Sequence, residues 1–198
     1  MRVIVLSKAP IPGKVKTRLM PAYSAEQAAA LQQLMTTTVI EKVCSIYSDV
    51  WLAVDEVTHP FFQELATTFE IQVYSQGEGT LGERMQHLML ESFRSNPVPI
   101  LFLGSDSPHV NPERYKQADQ HLGHHDIVIG PVEDGGYDLI AFQQNHPDVL
   151  RNIPWSTPSV RNDTVNNINH LNLSVHLLDE SFDLDDANDL ARALPHTW

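Results

Sequence analysis

Three clusters of charged residues in this chain have the types and spacing needed for chemistry on a phosphate-bearing ligand. The first is Pro10-Ile11-Pro12-Gly13-Lys14-Val15-Lys16-Thr17-Arg18-Leu19, with Lys8 just ahead of it. Cations at positions 14, 16 and 18 of an extended or loosely coiled segment are presented together, as a grip on a di- or triphosphate requires. This loop carries neither a Walker A pattern nor G-x-G-x-x-G, so side chains must do more of the anion holding than backbone amides. The second cluster pairs Asp106, in Gly104-Ser105-Asp106-Ser107-Pro108, with the distant Asp183 and Asp185. Hard divalent cations take carboxylate oxygens, and magnesium takes one or two from protein and the rest from phosphates and water. Asp106 alone reads equally well as a helix cap, and Asp186 and Asp189 read as caps of the closing helix.

The third cluster is Glu133-Asp134-Gly135-Gly136-Tyr137, where two carboxylates in a ligand crevice would orient or deprotonate an acceptor hydroxyl. Its glycines suit a hairpin turn with positive φ whatever the function. Trp155, followed by Ser156 and Thr157, would wall a sugar pocket, although core packing accounts for the tryptophan as well. His121, His124 and His125 look zinc-like, but their spacing around Gly123 fits a helix end, where imidazolium meets the dipole.

The elements that must position these residues follow from hydrophobic period and turn chemistry. Residues 98–103 form an apolar run that breaks at Gly-Ser-Asp-Ser-Pro, as a buried parallel strand ending in a turn would. In an open α/β sheet such strand ends border the ligand crevice, which places Asp106 there. Further strands are expected at 2–8, 50–55, 71–75, 126–131, 137–142 and 173–178. Capping boxes at Ser24-Ala25-Glu26-Gln27 and Thr80-Leu81-Gly82-Glu83 open helices over 24–46 and 80–95. Other helices are expected at 58–69, 112–122, after Pro158, and at 185–194. The strands at 126–131 and 137–142 are joined too closely for a parallel crossover, so that pair is antiparallel. The result is an α/β fold: a doubly wound, mostly parallel sheet with one antiparallel strand and helices on both faces.

A chain of 198 residues with 42% hydrophobic content buries roughly 70% of its unfolded surface in one core, so 1–198 reads as a single domain. No apolar run approaches membrane-spanning length and no secretory cleavage pattern follows the first strand, which reads as a soluble, cytoplasmic protein without a membrane partner. Cys44 is the sole cysteine and sits in an apolar helical run, as a buried inert thiol would. The net charge of -12 argues against nucleic acid as a partner. Its distribution is more specific: Arg2, Lys8, Lys14, Lys16 and Arg18 fall in the first 25 residues, which contain no acid. A local cationic grip on an acidic body suits a small anion.

Taken together, Lys8 to Leu19, Gln76-Gly77 with Leu81-Gly82-Glu83-Arg84-Met85, Gly104 to Pro108, Gly130-Pro131-Val132-Glu133-Asp134-Gly135-Gly136-Tyr137 and Pro154-Trp155-Ser156-Thr157 resemble a family of uncharacterised bacterial transferases. That family is a branch of the nucleotide-diphospho-sugar transferase superfamily, with the A-type glycosyltransferase fold. The resemblance implies that Lys8, Pro12, Gly13, Lys14, Lys16, Arg18 and Ser105 hold nucleotide phosphates. It implies that Asp106 is the metal aspartate, completed by Asp183 and Asp185 around Mg2+ or Mn2+. Glu133 and Asp134 then serve catalysis on the acceptor side, where Gly135, Gly136, Tyr137, Trp155 and Thr157 bind the acceptor. Pro108 replaces the second acid of a full Asp-x-Asp, and Asp138 stands where relatives often have an apolar or aromatic residue.

The activity expected is metal-dependent glycosyl transfer from a nucleotide-sugar to a small-molecule acceptor. Nucleotidyl transfer to a small phosphorylated acceptor, as by a guanylyltransferase, is the close alternative, and a non-catalytic nucleotide-binding protein is a third. All three require that Asp106 and Asp185 converge beneath the Lys–Arg cluster.

Overall fold

The computed structural model describes residues 1–20 and 22–193. In chain order the elements are β1 (Arg2–Ser7), α1 (Ala25–Cys44), β2 (Val50–Val54), α2 (Pro60–Phe69), β3 (Gln72–Ser75), α3 (Leu81–Ser95) and β4 (Ile100–Gly104). These are followed by α4 (Glu113–Leu122), β5 (Ile127–Pro131), β6 (Tyr137–Phe142), α5 (Val160–His170), β7 (Val175–Leu177) and α6 (Ala187–Ala193). The expected end of the closing helix at residue 194 lies outside the described residues.

Both capping boxes form: Ser24 and Gln27 cap α1 reciprocally, and Thr80 and Glu83 cap α3. The helix expected at 58–69 starts later, at Pro60, because a residue preceding proline is driven out of the helical region, and His59 is extended with φ −63° and ψ 129°. Two short 3-10 turns, Thr17–Leu19 and Pro147–Leu150, were not foreseen.

The seven strands lie in the order β3-β2-β1-β4-β6-β5-β7. β6 runs antiparallel to both neighbours and every other pairing is parallel. Central strands are apolar on both faces because both are covered. Val3, Val5, Leu52 and Leu101 meet Val39 and Ile40 of α1, Phe62 of α2 and Tyr115 and Ala118 of α4 on one side. Ile4, Trp51, Phe102 and Ile140 meet Met85, Leu88 and Met89 of α3 and Ile168 of α5 on the other.

The order reverses between β1 and β4. Chain leaving β1 proceeds toward one edge of the sheet through β2 and β3, and chain leaving β4 toward the other, so a crevice opens beyond their carboxyl ends. The loop after β1 carries the lysines and Arg18, and the loop after β4 carries Asp106. Arg2 is at the opposite end of β1, where it is buried, bonds to Asp49 and Ser92 and lies 4.2 Å over the Trp51 ring. It therefore belongs to the core and leaves the cationic cluster to the other four.

Candidate active site

The loop after β1 is held by its apolar residues. Ala9 N–H donates to Asp55 Oδ1 at 2.7 Å, and Val15 and Leu19 are buried. Gly13 (φ 81°) and Lys16 (φ 47°) adopt the left-handed conformation that turns the segment back over the sheet end. Lys8, Lys14 and Arg18 are exposed at the crevice, whereas Lys16 is turned inward with 6% of its side chain exposed.

The loop after β4 is tied down from two directions. Lys42 of α1 donates to the Pro108 and Val110 carbonyls, and Leu184 N–H donates to the Asp106 carbonyl at 2.9 Å. The second bond lays the segment after β7 alongside Asp106, and it brings the two distant acids together. Lys16 Nζ sits between them, 2.9 Å from Asp106 Oδ1 and 3.6 Å from Asp185 Oδ1, and donates to the Leu184 carbonyl at 2.5 Å. Arg18 Nη1 reaches Asp185 Oδ2 at 2.7 Å. The expected convergence of Asp106 and Asp185 beneath the Lys–Arg cluster is thus present, with the ammonium itself at the focus.

Asp183 behaves differently. It accepts a hydrogen bond from Ser107 Oγ and does not complete a three-carboxylate cluster with the other two among the described residues. Burial pushes its carboxyl up to about 7, the Ser107 hydroxyl opposes the shift, and the charges of Asp106, Asp138 and Asp185 add to it. An acid whose native pKa exceeds its unfolded value of 3.8 stabilises the fold fully below that value, and loses the contribution as pH rises through about 7. In EDTA, Asp183→Asn should therefore be more stable than the parent at pH 8 by roughly 2–4 kcal/mol and show a flatter profile between pH 4 and 7. Urea midpoints at pH 5 and pH 8 would read this directly; an unchanged slope would assign the titration to another group.

These groups border a crevice of about 980 Å³. Its floor is a buried polar network built from residues that carry no motif of their own. Gln32 of α1 donates to Ser105 Oγ at 3.1 Å, Ser7 Oγ and Thr36 Oγ1 are 2.9 Å apart, and Gln76 donates to the Ser7 and Ala53 carbonyls. Arg84 of α3 joins it through Gln76 Oε1 at 3.3 Å and the Gly79 carbonyl at 3.0 Å. Ser7, Gln32, Gln76 and Arg84 all line the crevice.

The turn opening α3 reads Gly77-Glu78-Gly79-Thr80-Leu81-Gly82, a G-x-G-x-x-G after a strand. It is not a pyrophosphate cradle here. Glu83 Oε2 accepts from Thr80 N–H at 2.7 Å and from its hydroxyl at 2.8 Å, so a carboxylate occupies the helix start where an anion would sit.

The opposite wall comes from the β5–β6 turn and the loop after residue 153. Asp134, Gly136 and Tyr137 line it together with Trp155, Ser156 and Thr157. Tyr137 and Trp155 meet edge to face at 6.1 Å, and Gly82 leaves room for the indole, because a Cβ there would lie 2.7 Å from Trp155 Nε1. Asp134 Oδ1 accepts from Gly136 N–H at 2.8 Å, and the residue lines the crevice.

Four residues placed in the site by sequence reasoning do not line the crevice. Glu133 is the main correction: its carboxylate is exposed and doubly bonded to Arg192 at 2.7 and 2.8 Å, which also holds its pKa down. The turn sends the two adjacent acids to different partners, Glu133 to Arg192 of α6 and Asp134 to the crevice. Pro12 and Gly13 form the exposed bend of the basic loop. Gly135 is buried at φ 91°, and a Cβ on it would lie 2.1 Å from the Pro158 carbonyl oxygen, so its part is to let two loops touch. The bland reading of Asp186 and Asp189 holds, since each accepts backbone N–H bonds at the start of α6. Asp138 lines the crevice but is buried and paired with Arg114 at 2.9 and 3.1 Å. Burial raises its carboxyl above the ordinary value and the Arg114 guanidinium opposes the shift.

A sheet of this order, reversing beside a basic loop and an acidic pair, is the nucleotide-diphospho-sugar transferase type of α/β fold. The chain belongs to the bacterial family described as "Uncharacterized protein conserved in bacteria (DUF2064)", whose model matches residues 24–157. Among solved structures it is similar to a protein of Desulfovibrio desulfuricans G20 named as a candidate nucleotide-diphospho-sugar transferase, at 29% identity and a TM-score of 0.87 over 96% of this chain and 85% of that one. It is also similar to a CMP:2-keto-3-deoxy-manno-octonic acid synthetase complexed with CTP, at 13% identity and a TM-score of 0.59 over 96% and 95% of the two chains. A third is the 4-diphosphocytidyl-2C-methyl-D-erythritol synthase of Anaerococcus prevotii DSM 20548, at 10% identity and 0.65 over 97% and 94%. The last two show the fold alone. No curated protein matches the chain. Among the described residues, no helix is long and apolar enough to cross a membrane.

Proposed function

We propose that this protein is a metal-assisted transferase that moves a sugar from a nucleotide-sugar to the hydroxyl of a small acceptor. The observation that carries the reading is the Lys16 ammonium held between Asp106 and Asp185. Two carboxylate oxygens and the Leu184 carbonyl already converge on one positive charge. An all-oxygen donor set of this kind fits a hard divalent cation, and the exposure of Asp106 (45%) and Asp185 (36%) leaves room for phosphate and water to complete the coordination.

Asp106 and Asp185 would hold Mg2+ or Mn2+, whose charge offsets that developing on a departing nucleoside diphosphate. Lys8, Lys14, Lys16 and Arg18 would hold the phosphates beside it. Asp134 would accept a hydrogen bond from the acceptor hydroxyl and orient it. The aromatic edges of Tyr137 and Trp155 bound the acceptor end, and the crevice volume is at the upper end of the range for small-molecule sites.

One observation favours nucleotidyl transfer as the second reading. Arg84 adds a fifth cation to the crevice lining, and five positive charges suit a triphosphate. The experiment that separates the two is a thermal-shift screen of nucleoside triphosphates and nucleotide-sugars with and without Mg2+, followed by a pyrophosphate-release assay on whatever stabilises. Selective Mg2+-dependent stabilisation by a nucleotide-sugar without pyrophosphate release supports glycosyl transfer. Pyrophosphate release from a triphosphate moves the assignment to nucleotidyl transfer. Tight binding with no product from any donor and acceptor marks a nucleotide-binding protein, and no stabilisation by either class overturns the site.

A further inference from the structure

The histidines at the end of α4 are not arranged as a helix-end charge cluster. His121 and His125 are joined by a residue that the sequence leaves far away, His176 of β7. The His121 and His176 rings stack at 3.6 Å with 10° between their planes, and His125 lies 5.2 Å from His176. One ligand nitrogen from each of the three falls within 4.8 Å of the others. His124, between them in sequence, is exposed and outside the group.

Two features hold the three histidines together. His125 Nδ1 is 3.0 Å from the His121 carbonyl. A carbonyl only accepts, so Nδ1 donates in this contact, and a bond of this kind sets the orientation of the ring. The backbone on either side is pinned as well: Ser174 N–H and Oγ donate to Asp126 Oδ2 at 2.8 and 2.7 Å, fixing the residue after His125 to the strand that carries His176. Among the described residues none of the three rings makes an ion pair, so no carboxylate accounts for their gathering. Burial and the two neighbouring imidazoles hold the His176 ring below the usual histidine value.

We propose that His121, His125 and His176 form a second cation site, which takes a borderline transition cation of the Zn2+ class and clips the end of α4 to the edge strand β7. Imidazole donors select such ions over the hard Mg2+ suited to the carboxylates. The nitrogens are close together, and for all three to meet one ion at about 2.0–2.1 Å the stacked His121 and His176 rings must turn out of their parallel planes, with a fourth position left for water. The site shares no residue with the crevice lining. β7 has three residues and lies at the margin of the sheet, so a link to α4 secures the strand with the fewest partners of its own.

The test is calorimetry on the untagged, metal-stripped chain with Zn2+ and, separately, Mg2+, together with Co2+ absorption spectra. The expected result is saturable binding of a single Zn2+ per chain at these histidines, a rise in Tm, and a Co2+ spectrum of nitrogen ligation. His121→Gln, His125→Gln and His176→Gln should each weaken Zn2+ binding by about 100-fold and abolish the Co2+ band. His124→Gln and Asp106→Asn should change neither. Because the three ligands are replaced one at a time, any variant that folds by circular dichroism decides the matter. Absence of saturable Zn2+ binding in the parent, binding that survives loss of the ligand histidines, or binding lost in Asp106→Asn would overturn the proposal.

Discussion

Asp106→Asn is expected to lower turnover by about 10³-fold while leaving the fold intact. The substitution removes the charge of one of the two carboxylates that meet at Lys16, yet keeps a side chain of the same shape. Asp106 is half exposed, and Lys16 retains Asp185 and the Leu184 carbonyl, so the native state loses little. The loop is also fixed by backbone bonds that the change does not touch, Leu184 N–H to the Asp106 carbonyl among them. Activity should therefore fall without a matching fall in Tm. Turnover within a few-fold of the parent would remove Asp106 from the chemistry; a drop in both together would make it a structural residue. Asp185→Asn should follow the same pattern more weakly, because Arg18 also draws on that carboxylate.

The largest effect on stability is expected away from the reacting groups. Arg114→Met should cost about 3–5 kcal/mol and lower Tm by about 10 °C. Arg114 and Asp138 are both nearly buried, and the guanidinium also donates to the Asp179 carbonyl at 2.6 Å and the Pro131 carbonyl at 3.3 Å. Its removal strands a carboxylate inside the protein between α4, β5 and β6. Removing both charges in Arg114→Met with Asp138→Leu should recover much of the loss, because two apolar groups of similar size leave no unpaired charge. Guanidinium unfolding of the two single variants and the double variant measures the coupling. If the single and double variants are equally unstable, the pair is not what holds this region. Asp138 lines the crevice, so the recovered double variant also asks whether that carboxylate serves the ligand or only Arg114.

Most of the framework was legible in the chain because its signals are local. Capping boxes at Ser24 and Thr80, apolar runs of strand length and a short link between residues 131 and 137 each act within a few residues. Together they specify helices, strands and one reversed strand. The basic loop was legible for the same reason, since alternation at 14, 16 and 18 needs no partner to be seen. Failures came where direction or distance mattered. Glu133 and Asp134 are indistinguishable as adjacent acids until the turn sends one to Arg192 and the other to the crevice. Gln32, Gln76 and Arg84 carry no motif of their own and become a polar floor only when α1, β3 and α3 meet over β1.

Local signals along the chain set the elements and the chemical character of each loop. The order of strands was decided only in three dimensions: nothing within 137–142 says that β6 slips between β4 and β5, because that pairing depends on covering both faces of the whole sheet. The same holds for every site on the molecule. Asp106 and Asp185 are brought to one ammonium by a backbone bond across the fold, and His176 is brought to His121 and His125 by the register of an edge strand. Charge and period are properties of a segment, whereas convergence is a property of the fold, set by which surfaces must be buried together.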